Sequence, residues 1–205
     1  MTKELFENIG FIGLGVMGNS MSKNLLKNNK WKLFVKDFDN EKEKELKKSG
    51  AIIASNIEEI FFKCDLIITC LPGGEYVNKL FFDNEKAINH VKPNQYIIDM
   101  STSQPDLMVK LNDSIKIKKA FFADAPIART RQAAVDGTLA IMVGCELNVF
   151  NNIHSILKYM GNDIMHCGKV GSGQLTKILN NMILFETVVA LSEAACISKK
   201  YGMKV

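Results

Sequence analysis

The feature that most constrains this chain is a glycine pattern near its start, Gly13-x-Gly15-x-x-Gly18. It follows a short apolar run at residues 9–12 and opens an amphipathic stretch at 16–27. The pattern therefore reads as the turn from a first strand into a first helix. Place within the turn gives each glycine a task. Gly13 allows a tight bend, Gly15 lets a pyrophosphate approach the backbone, and Gly18 lets the helix lie close to the strand. The helix start adds free N–H groups and the positive end of a dipole, which suit phosphate. Leu14, Val16 and Met17 complete the expected cofactor-binding loop.

Asp37 stands at the end of a second apolar run, 24 residues after Gly13. A carboxylate there can accept hydrogen bonds from the ribose hydroxyls of an adenosine and would repel a 2′-phosphate. No arginine follows closely, although Lys36 and Lys42 are near. The expected cofactor is NAD rather than NADP. The alternative for Asp37 is a turn residue before Asp39-Asn40.

The alternation continues along the chain. Strands are expected at 32–35, 51–54, 66–70, 96–99, 121–123, 139–143 and 164–165. Helices are expected at 41–48, ending at Gly50, and at 57–62, 76–82, 105–117 and 147–159, with a short helix or turn at 132–137. Apolar strands separated by helices imply an α/β fold, a mostly parallel sheet covered on both faces. From 174 to about 200 nothing breaks a last helix, and its apolar face is wider than one sheet needs. The domains expected are 1–170, a dinucleotide-binding unit, and 171–205, the start of a long helix.

Composition removes other classes. The 205 residues are 47% hydrophobic and 23% charged, with 26 basic residues among 22 acidic ones and a net charge of +4. That balance fits a solvated surface better than a nucleic-acid stripe. Apolar runs fall short of a bilayer span, so no membrane helix is expected, and residues 1–6 do not read as a signal peptide. Five widely spaced cysteines without a C-x-x-C pair point to a reducing cytoplasm and to no disulfide framework. Three histidines form no metal-ligand spacing.

The opening Gly10-Phe11-Ile12-Gly13-Leu14-Gly15-Val16-Met17-Gly18 resembles that of the β-hydroxyacid dehydrogenase family, which includes 3-hydroxyisobutyrate dehydrogenase. Three further segments match in order: Asp99-Met100-Ser101-Thr102-Ser103-Gln104-Pro105, Asp124-Ala125-Pro126 with Gly137-Thr138-Leu139, and Gly171-x-Gly173-x-x-x-Lys177-x-x-Asn180-Asn181. The resemblance implies a Rossmann-type doubly wound sheet that ends in a long helix. It also implies NAD-dependent interconversion of a small acidic aldehyde and its hydroxy acid. Family members carry an all-helical domain after that helix, and these 205 residues contain none of it.

Lys177 and Asn181 are four apart on a helix and so share a face. An ammonium there can pass a proton to a carbonyl oxygen, and the amide can hold substrate. By the resemblance Lys177 is the catalytic acid/base and Asn181 a substrate ligand. Ser101 and Thr102 either cap the helix that starts at Pro105 or touch ligand, Ser101 the substrate and Thr102 the cofactor. Leu71 and Pro72 resemble the family's apolar loop along the cofactor, although core packing would also explain them.

Where most of the family has Ser-Gly-Gly, this chain has Ala128-Arg129-Thr130. That Arg-Thr resembles the loop of 3-sulfolactaldehyde reductases, which implies an anion bound by Arg129 with help from Thr130. A carboxylate semialdehyde suits the same guanidinium. The long apolar helix suggests a homo-oligomer. The rival reading is a binding or interaction module that keeps the cofactor fold without catalysis. A reductase of imines is disfavoured by the lysine.

Overall fold

The computed structural model describes residues 5–28 and 30–204. Residues 1–4, on which part of the signal-peptide expectation rests, lie outside the described residues. The sheet contains β1 (Asn8–Ile12), β2 (Lys32–Lys36), β3 (Ile52–Ile53), β4 (Leu66–Thr69), β5 (Tyr96–Asp99), β6 (Phe121–Asp124), β7 (Ile127–Ala128), β8 (Leu139–Gly144) and β9 (Gly161–Gly168). The helices are α1 (Val16–Leu26), α2 (Asn40–Lys48), α3 (Ile57–Lys63), α4 (Gly74–Asn78), α5 (Pro105–Ile117), α6 (Arg131–Asp136), α7 (Leu147–Leu157) and α8 (Ser172–Lys200).

Strands β3, β2, β1, β4, β5 and β6 lie side by side in that order, all parallel. Side chains alternate between the faces, as period two requires. Leu66, Ile68, Tyr96 and Ile98 enter one core with Met21 and Leu25 of α1 and Ile153 and Leu157 of α7. Ile67, Ile97 and Phe122 enter the other with Phe61 of α3 and Met108, Leu111 and Ile115 of α5. Burial on both faces is why these strands read as unbroken apolar runs.

Beyond β6 the sheet changes direction. Asp124 pairs with Gly144, Ile127 with Ile141 and Ala128 with Ala140, all antiparallel. The pairs share one register, so β7 prolongs the β6 ladder along a single edge of β8. β9 lies parallel on the other edge of β8. The two-residue strand β7 lies outside the sequence expectations. The helix expected at 76–82 also differs: α4 gives way to a π turn at Lys79–Asp83.

α8 is buried only at its start, at Gly173 and Gln174. Beyond that, Leu179, Met182, Ile183, Phe185 and Val189 are each about half exposed or more. One expectation needs correction here. By length and mean hydropathy, 1.4 over its most apolar window, α8 is long and apolar enough to cross a membrane. Uninterrupted apolar runs are the wrong gauge for it, because Asn180, Asn181, Glu186 and Glu193 divide a stretch that stays apolar on average.

Candidate cofactor and catalytic site

Sheet order β2–β1–β4–β5 places four loops side by side at the carboxyl ends of the strands. Asp37 follows β2, the glycine loop follows β1, Leu71-Pro72 follows β4 and Ser101-Thr102 follows β5. This is the edge at which open α/β sheets bind ligands.

The glycines perform three different jobs. Gly13 has φ +96, and a Cβ there would come within 2.3 Å of the Cys70 carbonyl oxygen. A Cβ on Gly18 would come within 2.0 Å of the Gly13 oxygen, so α1 can rest on β1 only without one. Gly15 is the opposite case: a Cβ there would meet nothing within 4 Å. Gly15 is also the N-cap of α1, with no side-chain cap and no acid in the first turn. Open space in front of free N–H groups fits a pyrophosphate.

Asp37 is tied into the same loop. Its Oδ2 accepts from the Leu14 N–H at 2.5 Å and its Oδ1 from the Asp39 N–H at 2.9 Å. Val16, Pro72 and Thr102 are exposed along the edge, while Leu14 is buried and anchors the loop from beneath. Burial pushes the thiols of Cys64, Cys70 and Cys145 up to about 12, so none is a thiolate nucleophile at neutral pH.

The start of α8 is anchored by groups distant in sequence. Its N-cap is Gly171, which has φ +92 and no side chain to cap with. Asp124, at the end of β6, supplies the cap instead. Its Oδ1 accepts from the Gly171 N–H at 2.7 Å and its Oδ2 from the Gln174 N–H at 2.8 Å. Gly173 permits the close approach, since a Cβ there would meet the Met142 oxygen at 2.4 Å. Gln174, fully buried, accepts from the Ser103 N–H at 2.9 Å and donates to the Ser101 oxygen at 2.7 Å. Burial raises the Asp124 carboxyl to about 6, and it also raises Asp99. Asp124, Asp99 and Gln174 thus fix α8 to the ends of β5 and β6. The sequence motifs contain both aspartates but assign neither a role, and they leave Gln174 unmarked. Its position three residues before Lys177, on the same helix face, was the available signal.

The predicted substrate residues divide. Lys177 is half-buried one turn beyond Gln174, and burial lowers its pKa. No hydrogen bond or ion pair among the described residues holds its ammonium. Asn181 follows one turn later and is half-buried. Ser101 turns inward instead. It is 2% exposed, its hydroxyl donates to Asp99 Oδ1 at 2.5 Å, and it accepts from the Leu71 N–H at 2.9 Å. Neither Ser101 nor Thr102 caps α5, whose N-cap is Gln104.

Arg129 sits at φ +85, a backbone region where glycine is usual. Its guanidinium donates to the Thr138 oxygen at 2.6 Å and to Asn162 Oδ1 at 2.9 Å, and it pairs with Asp163 at 3.2 Å. None of these contacts reaches Lys177 or Asn181. Thr130 is the N-cap of α6 and accepts from the Ala133 N–H. The structure therefore brings together the residues expected to bind cofactor and keeps Arg129 engaged at the start of β9.

Sheet order, glycine loop and open helix terminus define a Rossmann-type dinucleotide-binding domain. The family model described as the NAD binding domain of 6-phosphogluconate dehydrogenase matches residues 8–168. The chain belongs to this family, among its 3-hydroxyisobutyrate dehydrogenase-like members. It is 35% identical over 198 residues to an uncharacterised oxidoreductase of Bacillus subtilis, covering 97% of this chain and 68% of that one. It is 36% identical to the mitochondrial 3-hydroxyisobutyrate dehydrogenase of Rattus norvegicus, covering 95% of this chain and 58% of the rat protein. The structure of 3-hydroxyisobutyrate dehydrogenase from Mycobacterium tuberculosis superposes with a TM-score of 0.91 at 28% identity, over 97% of this chain and 67% of that one. The chain thus spans roughly three fifths to two thirds of the length of these relatives.

Proposed function

We propose that the chain is the cofactor-binding part of an NAD(H)-dependent oxidoreductase that interconverts a small acidic aldehyde and its hydroxy acid. Residues 1–170 form the cofactor unit, and 171–205 begin an interdomain helix. The observation that carries this reading is Lys177. It is half-buried and, among the described residues, unpaired, on a helix whose first turn is bonded to the strand ends beside the cofactor edge.

NADH supplies the hydride when bound. Asp37 receives its adenosine ribose, the N–H groups at Gly15 receive its pyrophosphate, and Leu71, Pro72 and Thr102 border the rest. Lys177 gives a proton to the carbonyl oxygen as that oxygen gains charge, and takes it back in the oxidative direction. Partial burial favours this, because it lowers the cost of neutral amine. Asn181 orients the reacting end. Thr130 holds the acid group, and Arg129 joins only by exchanging Asp163 for that acid. Ser101 acts from behind, holding the Leu71 amide. The same logic admits a sulfonate or a carboxylate at the acid end.

The relatives named as dehydrogenases support an enzyme, and the five widely spaced free cysteines support a reducing compartment such as the cytoplasm. The exposed apolar side of α8 supports association with a second copy. It also favours the alternative, an NAD-binding or interaction module without catalysis.

The test is NADH consumption with succinic semialdehyde, methylmalonate semialdehyde and 3-sulfolactaldehyde. Turnover of one of them supports the enzyme. Saturable NADH binding with no turnover in the longest natural form of the chain supports the module.

A further inference from the structure

Glu43 lies on α2 and is 3% exposed, a rare place for a carboxylate without a ligand of its own. One of its oxygens, Oε1, makes two contacts. It accepts from the backbone N–H of Asp37 at 2.9 Å and pairs with the Lys36 ammonium at 3.0 Å. Glu43 therefore holds the ribose-binding residue by its backbone and the neighbouring cation by its charge. The Lys36 side chain is itself only 23% exposed, so this pair is shielded from solvent.

The other cation nearby is placed differently. The Lys42 ammonium is 3.7 Å from both Asp37 and Asp39 and is 41% exposed. Three carboxylates, Asp37, Asp39 and Glu43, thus face two ammonium groups around the end of β2. A 2′-phosphate would enter a locally acidic site.

We infer that Glu43 is a second determinant of cofactor choice. It neutralises Lys36, the lysine next to Asp37, so that this ammonium is withheld from a 2′-phosphate and NAD is favoured over NADP. The inference rests on the reading that the adenosine ribose lies against Asp37. Glu43 is a positioning residue and touches no cofactor atom.

The test compares NADH and NADPH binding to the full chain by calorimetry, for the wild type, Glu43→Gln, Lys36→Met and the double variant. Gln keeps an oxygen for the Asp37 amide and removes the charge. Glu43→Gln is expected to shift the NADPH-to-NADH affinity ratio toward NADPH on the order of fivefold, the effect of one nearby unit charge in high dielectric. Lys36→Met is expected to shift it the opposite way, by leaving Glu43 unpaired. The double variant should return to the wild-type ratio.

A purely structural role would weaken both cofactors equally and leave the ratio fixed, which would overturn the inference. A shift in Glu43→Gln that persists in the double variant would overturn it too, because Lys36 would then not be the agent. Should Glu43→Gln fail to fold, a Lys36→Met ratio that stays fixed or moves toward NADPH would overturn the inference. A wild type that binds neither cofactor would instead sink the ribose reading and this inference with it.

Discussion

The backbone N–H of Leu14 donates to Oδ2 of Asp37 at 2.5 Å, so the glycine loop and Asp37, the proposed ribose ligand, are held as one unit. The pair joins the loops that follow the neighbouring strands β1 and β2, with Gly13 N–H bonded to the Lys36 oxygen at 3.0 Å beside it. A carboxylate offers about four acceptor positions. Two are taken, by Leu14 and Asp39, and the others can serve ribose hydroxyls. Asp37→Ala should weaken NADH binding on the order of tenfold to a hundredfold, the size of a lost charged hydrogen bond. NADPH binding should suffer less. Titration calorimetry with both cofactors checks this, and an equal loss for both would contradict the ribose assignment.

Gly15 and Gly18 should respond oppositely to the same substitution. Gly15→Ala adds a methyl group where the protein has open space, at φ −63, which alanine accepts. It should leave the urea midpoint nearly unchanged while reducing NADH affinity. Gly18→Ala places its methyl 2.0 Å from the Gly13 oxygen. It should destabilise the fold by about 1–3 kcal/mol, the usual cost of overpacking. Gly15→Ala binding NADH like the wild type would show that the cofactor does not pass over this residue.

Asp124 gives a pH signature of unusual sign. Its carboxyl is raised from 3.8 to about 6 because burial disfavours the charged form. Between those values the native state holds a proton that the unfolded chain releases. The Asp124 contribution to stability is therefore present below about pH 4 and lost as pH rises through about 6. Over that window the loss is about 3 kcal/mol, from two pKa units at about 1.4 kcal/mol each. Urea denaturation at several pH values should show the wild type losing stability relative to Asp124→Asn, which cannot ionise. Parallel profiles for the two proteins would contradict the raised carboxyl.

Gln174 should matter more than its exposed neighbours on α8. Its amide satisfies the Ser103 N–H and the Ser101 oxygen, both buried. Gln174→Ala strands two backbone groups and should cost about 2–4 kcal/mol. Leu175→Ala, at a position 51% exposed, should cost far less. Denaturant melts of the two variants compare them directly.

The parallel half of the fold was legible because each strand is buried on both faces and each helix on one. Pro105–Ile117 and Tyr96–Asp99 match their expected limits, and β1, β2, β3, β4 and β6 fall within one residue, whereas β9 runs three residues beyond the expected 164–165 at each end. The antiparallel edge was not legible. Pairing of Asp124 with Gly144 and of Ala128 with Ala140 depends on contacts between distant residues, and β7 is too short for any periodicity. The cofactor loop could be read because glycines have few reasons to recur at that spacing. The direction of a side chain could not. Ser101 and Arg129 carry the right groups for a ligand, yet Asp99 claims one hydroxyl and Asp163 claims the guanidinium. Those partners lie two and thirty-four residues away, and only the folded chain shows that they are within reach.

The central claim is that a cofactor edge and a catalytic lysine are separate parts of one site. It is tested most directly by Lys177→Ala, measured for NADH binding and for aldehyde turnover in the same preparation. The account predicts an NADH dissociation constant within about twofold of the wild type, and turnover reduced on the order of a hundredfold or more, the scale of lost general acid–base catalysis. Unchanged turnover, or loss of NADH binding along with it, would contradict the account.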